Sequence, residues 1–135
     1  MNDYDQEVEA IEEYNKPILD EFRQWLEKAG LSNPVIRKHI SNINLFARYL
    51  MYDAPLQKLD EATSGDVYMF MANWYPRKVL PASPNNVQSN SASIRKLFRF
   101  MVETNRIDPD RETAVRETLK EDKQIFLQAK SYYYN

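Results

Sequence analysis

The chain has 135 residues, 43% of them hydrophobic and 13% aromatic, which suits one globular domain and excludes a disordered tail. With no cysteine and one histidine, it excludes disulfide scaffolds, cysteine-ligated zinc, thiol chemistry and most histidine-based metal sites. A formal net charge of −2 conceals nine acids against two bases over residues 1–27, eleven bases against five acids over 28–106, and near balance beyond.

The acidic N-terminus is unlike a secretory signal, and no apolar run approaches the ~18 residues of a membrane span. A cytoplasmic protein with no membrane partner is expected. In chain order, residues 4–14 predict an acidic helical arm, set off as a segment over residues 1–16 and joined or kinked at Pro17. Pro17 suits the first turn of a helix, which Ile18, Leu19, Phe22, Trp25, Leu26 and Ala29 continue at helical spacing. Gly30 supplies the left-handed residue that commonly ends a helix. Ser32-Asn33-Pro34 then starts a second helix, whose buried face is Ile36, Ile40, Ile43, Ala47 and Leu50, and Pro55 stops it.

Thr63 and Ser64 are caps for a third helix carrying Val67, Phe70, Met71 and Trp74, and Pro76 to Pro81 reads as a basic loop. Ser83-Pro84 repeats the cap-then-proline start for a fourth helix, with Val87, Ile94, Phe98 and Met101 inward and Asn105 closing it. From Pro109 to Lys130, Val115, Leu119, Phe126 and Ala129 recur at looser helical spacing. No strand-like alternation persists. The fold class is all-α: four core helices over residues 17–107, with helical segments over 1–16 and 108–135.

The outer face of the second helix carries Arg37, Ser41, Asn44 and Arg48, with Lys38 beside them. The fourth offers Asn85, Gln88, Ala92, Arg95 and Arg99, with Asn86, Ser89 and Lys96 alongside, and neither face is expected to carry an acid. Arg and Lys neutralise phosphates, while Asn, Gln and Ser hydrogen-bond phosphate oxygens or base edges. The small residues Ser89, Ser91, Ala92 and Ser93 permit close approach of a backbone or another helix. Trp25, Trp74 and His39 read as core or core-flanking rather than as stacking platforms or ligands, and the acids of the arm read as a solvated face.

The order of these pieces resembles the core-binding, SAM-like N-terminal domain of the tyrosine recombinase/phage integrase family. The carriers are Phe22-x-x-Trp25-Leu26 leading to Lys28-Ala29-Gly30-Leu31-Ser32, then Val35-Ile36-Arg37 and Leu45-Phe46-Ala47-Arg48-Tyr49-Leu50. Leu59-Asp60-Glu61-Ala62-Thr63-Ser64-Gly65-Asp66-Val67 follows, then Ser83-Pro84-Asn85-Asn86-Val87 and Ile94-Arg95-Lys96-Leu97-Phe98-Arg99-Phe100-Met101. The resemblance covers about residues 18–107 and implies a four-helix bundle that clamps one side of duplex DNA through its second and fourth helices. The chain departs from the family's pattern at Pro34, Val35, His39 and Gln88-Ser89-Asn90-Ser91, which leaves fewer bases on the fourth helix and predicts weak, salt-sensitive binding.

In that family, catalysis belongs to a downstream domain with arginines, a lysine, a His-x-x-Arg pair and a tyrosine nucleophile. Here the one histidine, His39, is followed by Ile40-Ser41-Asn42, and Tyr132, Tyr133 and Tyr134 have no arginines positioned to activate them. Those tyrosines are expected to form an aromatic tail. The reading is therefore a non-catalytic DNA-binding module, accessory to or derived from DNA integration or recombination, with no cofactor, metal or small-molecule substrate. The sharper reading of the acidic arm is an intramolecular competitor of DNA for the basic surface. The alternative is a protein-interaction module that uses the acidic arm, residues 109–130 or the tyrosine tail, and acts as an acidic inhibitor or regulator of a nucleic-acid-binding partner.

Overall fold

A computed structural model describes residues 2–53, 56–79 and 83–134, excepting the side chains of 131–134. All regular structure among them is helical: α1 (Asp3–Lys28), α2 (Asn33–Tyr52), a 3-10 turn (Leu59–Glu61), α3 (Ser64–Met69), a π turn (Phe70–Trp74), α4 (Tyr75–Lys78), α5 (Pro84–Glu103), α6 (Pro109–Glu121) and α7 (Lys123–Tyr134). The chain divides between Ala62 and Thr63 into two compact units. The expected stop at Pro55 and the loop end at Pro81 lie outside the described residues, as do the side chains of Tyr132, Tyr133 and Tyr134.

The first unit pairs α1 with α2. The expected arm is not separate: α1 is one helix of 26 residues with Pro17 in its interior. The reason is a continuous buried stripe, Val8, Ile11, Asn15, Ile18, Phe22 and Leu26, at spacings of three and four that cross the proline without a break. Val8 and Ile11 pack with Met51 and Leu56, and this burial offsets the ladder hydrogen bond that Pro17 cannot donate. The helix ends as expected, with Gly30 at φ 83° and the Leu31 N–H returning to the Leu26 carbonyl.

Ser32 starts α2 through its carbonyl, which accepts the Ile36 N–H at 2.9 Å, and makes no side-chain cap bond. Of the expected inner face, Ile36, Ile43, Ala47 and Leu50 are buried and Ile40 is half-buried. His39, Asn42, Phe46, Tyr49 and Met51 widen the buried arc, so His39 does lie at the core. Beyond α2, the 3-10 turn is fastened to α1. Asn15 Oδ1 accepts the Leu59 N–H at 3.1 Å, the Tyr14 hydroxyl donates to Asp60 at 2.6 Å, and the Lys58 ammonium sits 4.4 Å from the Tyr14 ring centre.

In the second unit, Thr63 caps α3 reciprocally with Asp66. Val67, Phe70, Met71 and Trp74 are all buried, and Phe70 stacks on Trp74 at 5.5 Å between ring centres. The helix then widens into a π turn, in which the Tyr75 N–H reaches back to the Phe70 carbonyl. The expected loop from Pro76 is instead helical through Lys78. Pro76 has no N–H to give the ladder, and the widened turn directly before it re-sets the register that a regular helix would hold against its ring. Tyr75 and Pro76 are buried, which ties this turn to the unit's interior.

Ser83 caps α5 by accepting the Asn86 N–H at 3.2 Å, and Pro84 occupies its first turn. Its far end closes at Asn105, φ 60°, with the Arg106 N–H bonded to the Met101 carbonyl at 2.8 Å. The stretch expected as one loosely periodic helix is two, α6 and α7, broken at Asp122. Asp108 caps α6 by accepting the Arg111 N–H at 2.8 Å. α6 packs on α3 and α5, so residues 109–121 belong to the same unit as the fourth expected helix. Val115, Leu119, Phe126 and Ala129 are buried, and Phe126 meets Tyr68 edge-on at 5.8 Å.

Candidate nucleic-acid interface

On α2, Arg37, Ser41, Asn44 and Arg48 form one exposed stripe, and Lys38 is exposed on the adjoining side. This follows from the wide buried arc, which leaves polar side chains only about a third of the helix circumference. The Asn44 end is not purely basic. It opens onto a groove of about 410 Å³ between α1 and α2, which Glu12, Lys16, Asp20 and Arg23 also line. Asn44 therefore stands among two acids and two bases, while Arg37, Lys38 and Arg48 make no ion pair among the described residues.

On α5, Asn85, Gln88, Arg95 and Arg99 are exposed on one stripe, and Asn86 and Lys96 beside it are half-buried. Arg99 differs from expectation: it lies 3.7 Å from Glu103, one turn further on, so this face ends in an acid. Arg95 and Lys96 have no such partner among the described residues. Of the small residues, Ser93 is fully buried with its hydroxyl donating to the Ser89 carbonyl at 3.1 Å, whereas Ser91 and Ala92 flank a cleft.

That cleft, about 570 Å³ between α5, α6 and α7, adds basic residues the sequence reading overlooked. Arg116 and Lys120 of α6 and Lys123 of α7 line it with Gln88 and Arg95. No family model, curated protein or solved structure matches the chain. Arg116 and Lys120 stand four apart on one face of α6, and Lys123 follows one turn later, a signal the sequence did carry. Glu112, Glu117 and Glu121 hid it by bringing the regional charge close to zero.

Trp74 is buried and Trp25 is half-buried against Phe22 at 6.1 Å, so neither offers a free stacking platform. Among the described residues, no three His, Cys, Asp or Glu side chains gather to hold a metal ion. No described helix is long and apolar enough to cross a membrane. What the exposed groups can do is neutralise phosphates through guanidinium and ammonium groups and donate hydrogen bonds from carboxamides.

Proposed function

We propose that the chain is a non-catalytic DNA-binding module resembling the core-binding domain of phage integrases and tyrosine recombinases. Arg37, Lys38, Arg48, Arg95, Lys96 and Arg99 are its phosphate anchors, Asn44, Asn85, Asn86 and Gln88 lie nearer the bases, and Ser41 belongs to the same α2 face. The observation that supports this best is the α5 stripe. Its Asn85, Gln88 and Arg95 are exposed, and Arg95 has no acid within ion-pair distance among the described residues. Duplex DNA rewards an arrangement of this kind, because each neutralised phosphate releases condensed counterions.

The test is a salt titration of binding to a generic duplex by the full-length chain. The logarithm of affinity is expected to fall with the logarithm of salt by roughly 0.9 for each phosphate neutralised. Reversing Arg37, Arg95 and Arg99 to Glu together should abolish measurable binding and leave helicity unchanged. An unaltered affinity would remove these residues from the interface.

A second reading is favoured by α1, whose acids from Asp3 to Glu27 are all exposed. A face of this sign imitates a phosphate backbone and suits a basic protein partner. Retention of such a partner by the chain, with no duplex binding even at low salt, would select this reading.

A further inference from the structure

The cleft between α5, α6 and α7 combines an apolar floor with a cationic rim. Val87, Leu119 and Phe126 of the floor are buried and Leu127 is half-buried. The rim brings Arg95, Arg116, Lys120 and Lys123 together from three helices, with no carboxylate lining the cleft among the described residues. Only Arg116 of the four has an ion-pair partner among the described residues, Glu112 at 3.5 Å, so the charges of the other three are open to an anion.

The small side chains of Ser91 and Ala92 leave the α5 wall open, and Gln88 adds a carboxamide at its edge. A phosphodiester backbone has no use for an apolar floor, and an uncharged ligand has none for four converging cations. The volume of about 570 Å³ lies within the ~300–1,000 Å³ typical of small-molecule sites.

We propose that this cleft is a binding site for a small amphipathic anion, an apolar body bearing one phosphate, sulfonate or carboxylate group. The head is held by Arg95, Lys120 and Lys123, and the body covers the floor and releases its water. The inference does not depend on DNA binding, since its test contains no nucleic acid.

Calorimetric titration of the full-length chain with 1-naphthyl phosphate, inorganic phosphate and 1-naphthol tests it. One 1-naphthyl phosphate should bind per chain, at least about tenfold more tightly than either fragment. Ala92→Trp fills the cleft without altering charge, and Lys120→Glu reverses one exposed rim charge. Each is expected to weaken 1-naphthyl phosphate at least about tenfold with helical circular dichroism unchanged. Should Ala92→Trp lose helicity, Lys120→Glu alone decides. Inorganic phosphate binding as tightly as 1-naphthyl phosphate would reduce the cleft to a patch of charge and overturn the proposal. Unchanged affinity in folded variants, or no saturable binding by the unaltered chain, would do the same.

Discussion

Asn15 and Leu59 are joined by a hydrogen bond of 3.1 Å from the Leu59 N–H to the Asn15 side-chain oxygen, across 44 residues of sequence. Asn15 is buried in the middle of an otherwise apolar stripe, so its carboxamide is placed by the helix and satisfied by the turn. Replacing it with leucine conserves volume and strands the Leu59 N–H. A loss of about 1–3 kcal/mol in unfolding free energy is expected from urea denaturation. Tyr14→Phe, which removes the exposed bond to Asp60, should cost less than about 1 kcal/mol. Equal losses for the two would mean that burial is not what sets the value of these bonds.

Pro17 interrupts the hydrogen-bond ladder of α1 while the buried stripe runs on past it. Pro17→Ala restores the missing donor at an exposed position and is expected to stabilise the chain, by up to about 3 kcal/mol. A lowered thermal midpoint would show that the proline's ring makes a contribution that the ladder cannot replace.

Gly30 holds the left-handed turn after α1 at φ 83°, and a Cβ there would meet nothing within 4 Å. The cost of Gly30→Ala is thus purely conformational, about 1–2 kcal/mol. Asn105, at φ 60° after α5, presents the reverse case, and Asn105→Gly should be neutral or stabilising. Paired denaturation curves for the two variants check the signs.

Arg95 and Arg99 lie on the same stripe, yet among the described residues only Arg99 of the two is ion-paired, with Glu103 at 3.7 Å. If the stripe meets DNA, Arg95→Glu lowers duplex affinity and cuts the salt dependence by about one counterion or more. Glu103→Gln frees Arg99 and is expected to raise affinity at low salt. Fluorescence anisotropy over a salt series measures both, and matching slopes for all three proteins would remove the stripe from the contact.

Tyr75 follows the π turn with its phenol raised above the ordinary tyrosine value by burial, an effect partly opposed by the polar side chain of Asn90. A raised folded-state value means that the folded chain holds this proton more tightly than the unfolded one. Stability from this group is therefore complete below about pH 10 and declines as pH rises through the folded value. Unfolding midpoints measured from pH 8 to 11 should fall more steeply for the unaltered chain than for Tyr75→Phe. Parallel curves would contradict the assignment.

Much of the fold was legible because helix ends are local events. Thr63, Ser83, Gly30 and Asn105 each act within five residues of themselves, so type and spacing suffice to place them. The inward faces of the helices at Val67 and Val87 were likewise readable from period alone. The two prolines misled for one shared reason. A rule for proline describes an isolated helix, whereas Pro17 is carried by the packing of Val8 and Ile11 on Met51, and Pro76 by a π turn in a buried segment.

By itself the sequence determined an all-helical chain, its caps, its apolar stripes and the bases on α2 and α5, all of which depend on neighbours within a turn or two. Tertiary structure alone decided which acids stand beside Asn44 and which bases gather at the α5–α6–α7 cleft. Those neighbours come from separate helices, and the side chains that share a cleft depend on how the helices cross and rotate. Regional charge sums carry no such information, which is why a nearly neutral segment could supply three of the four cations at one site.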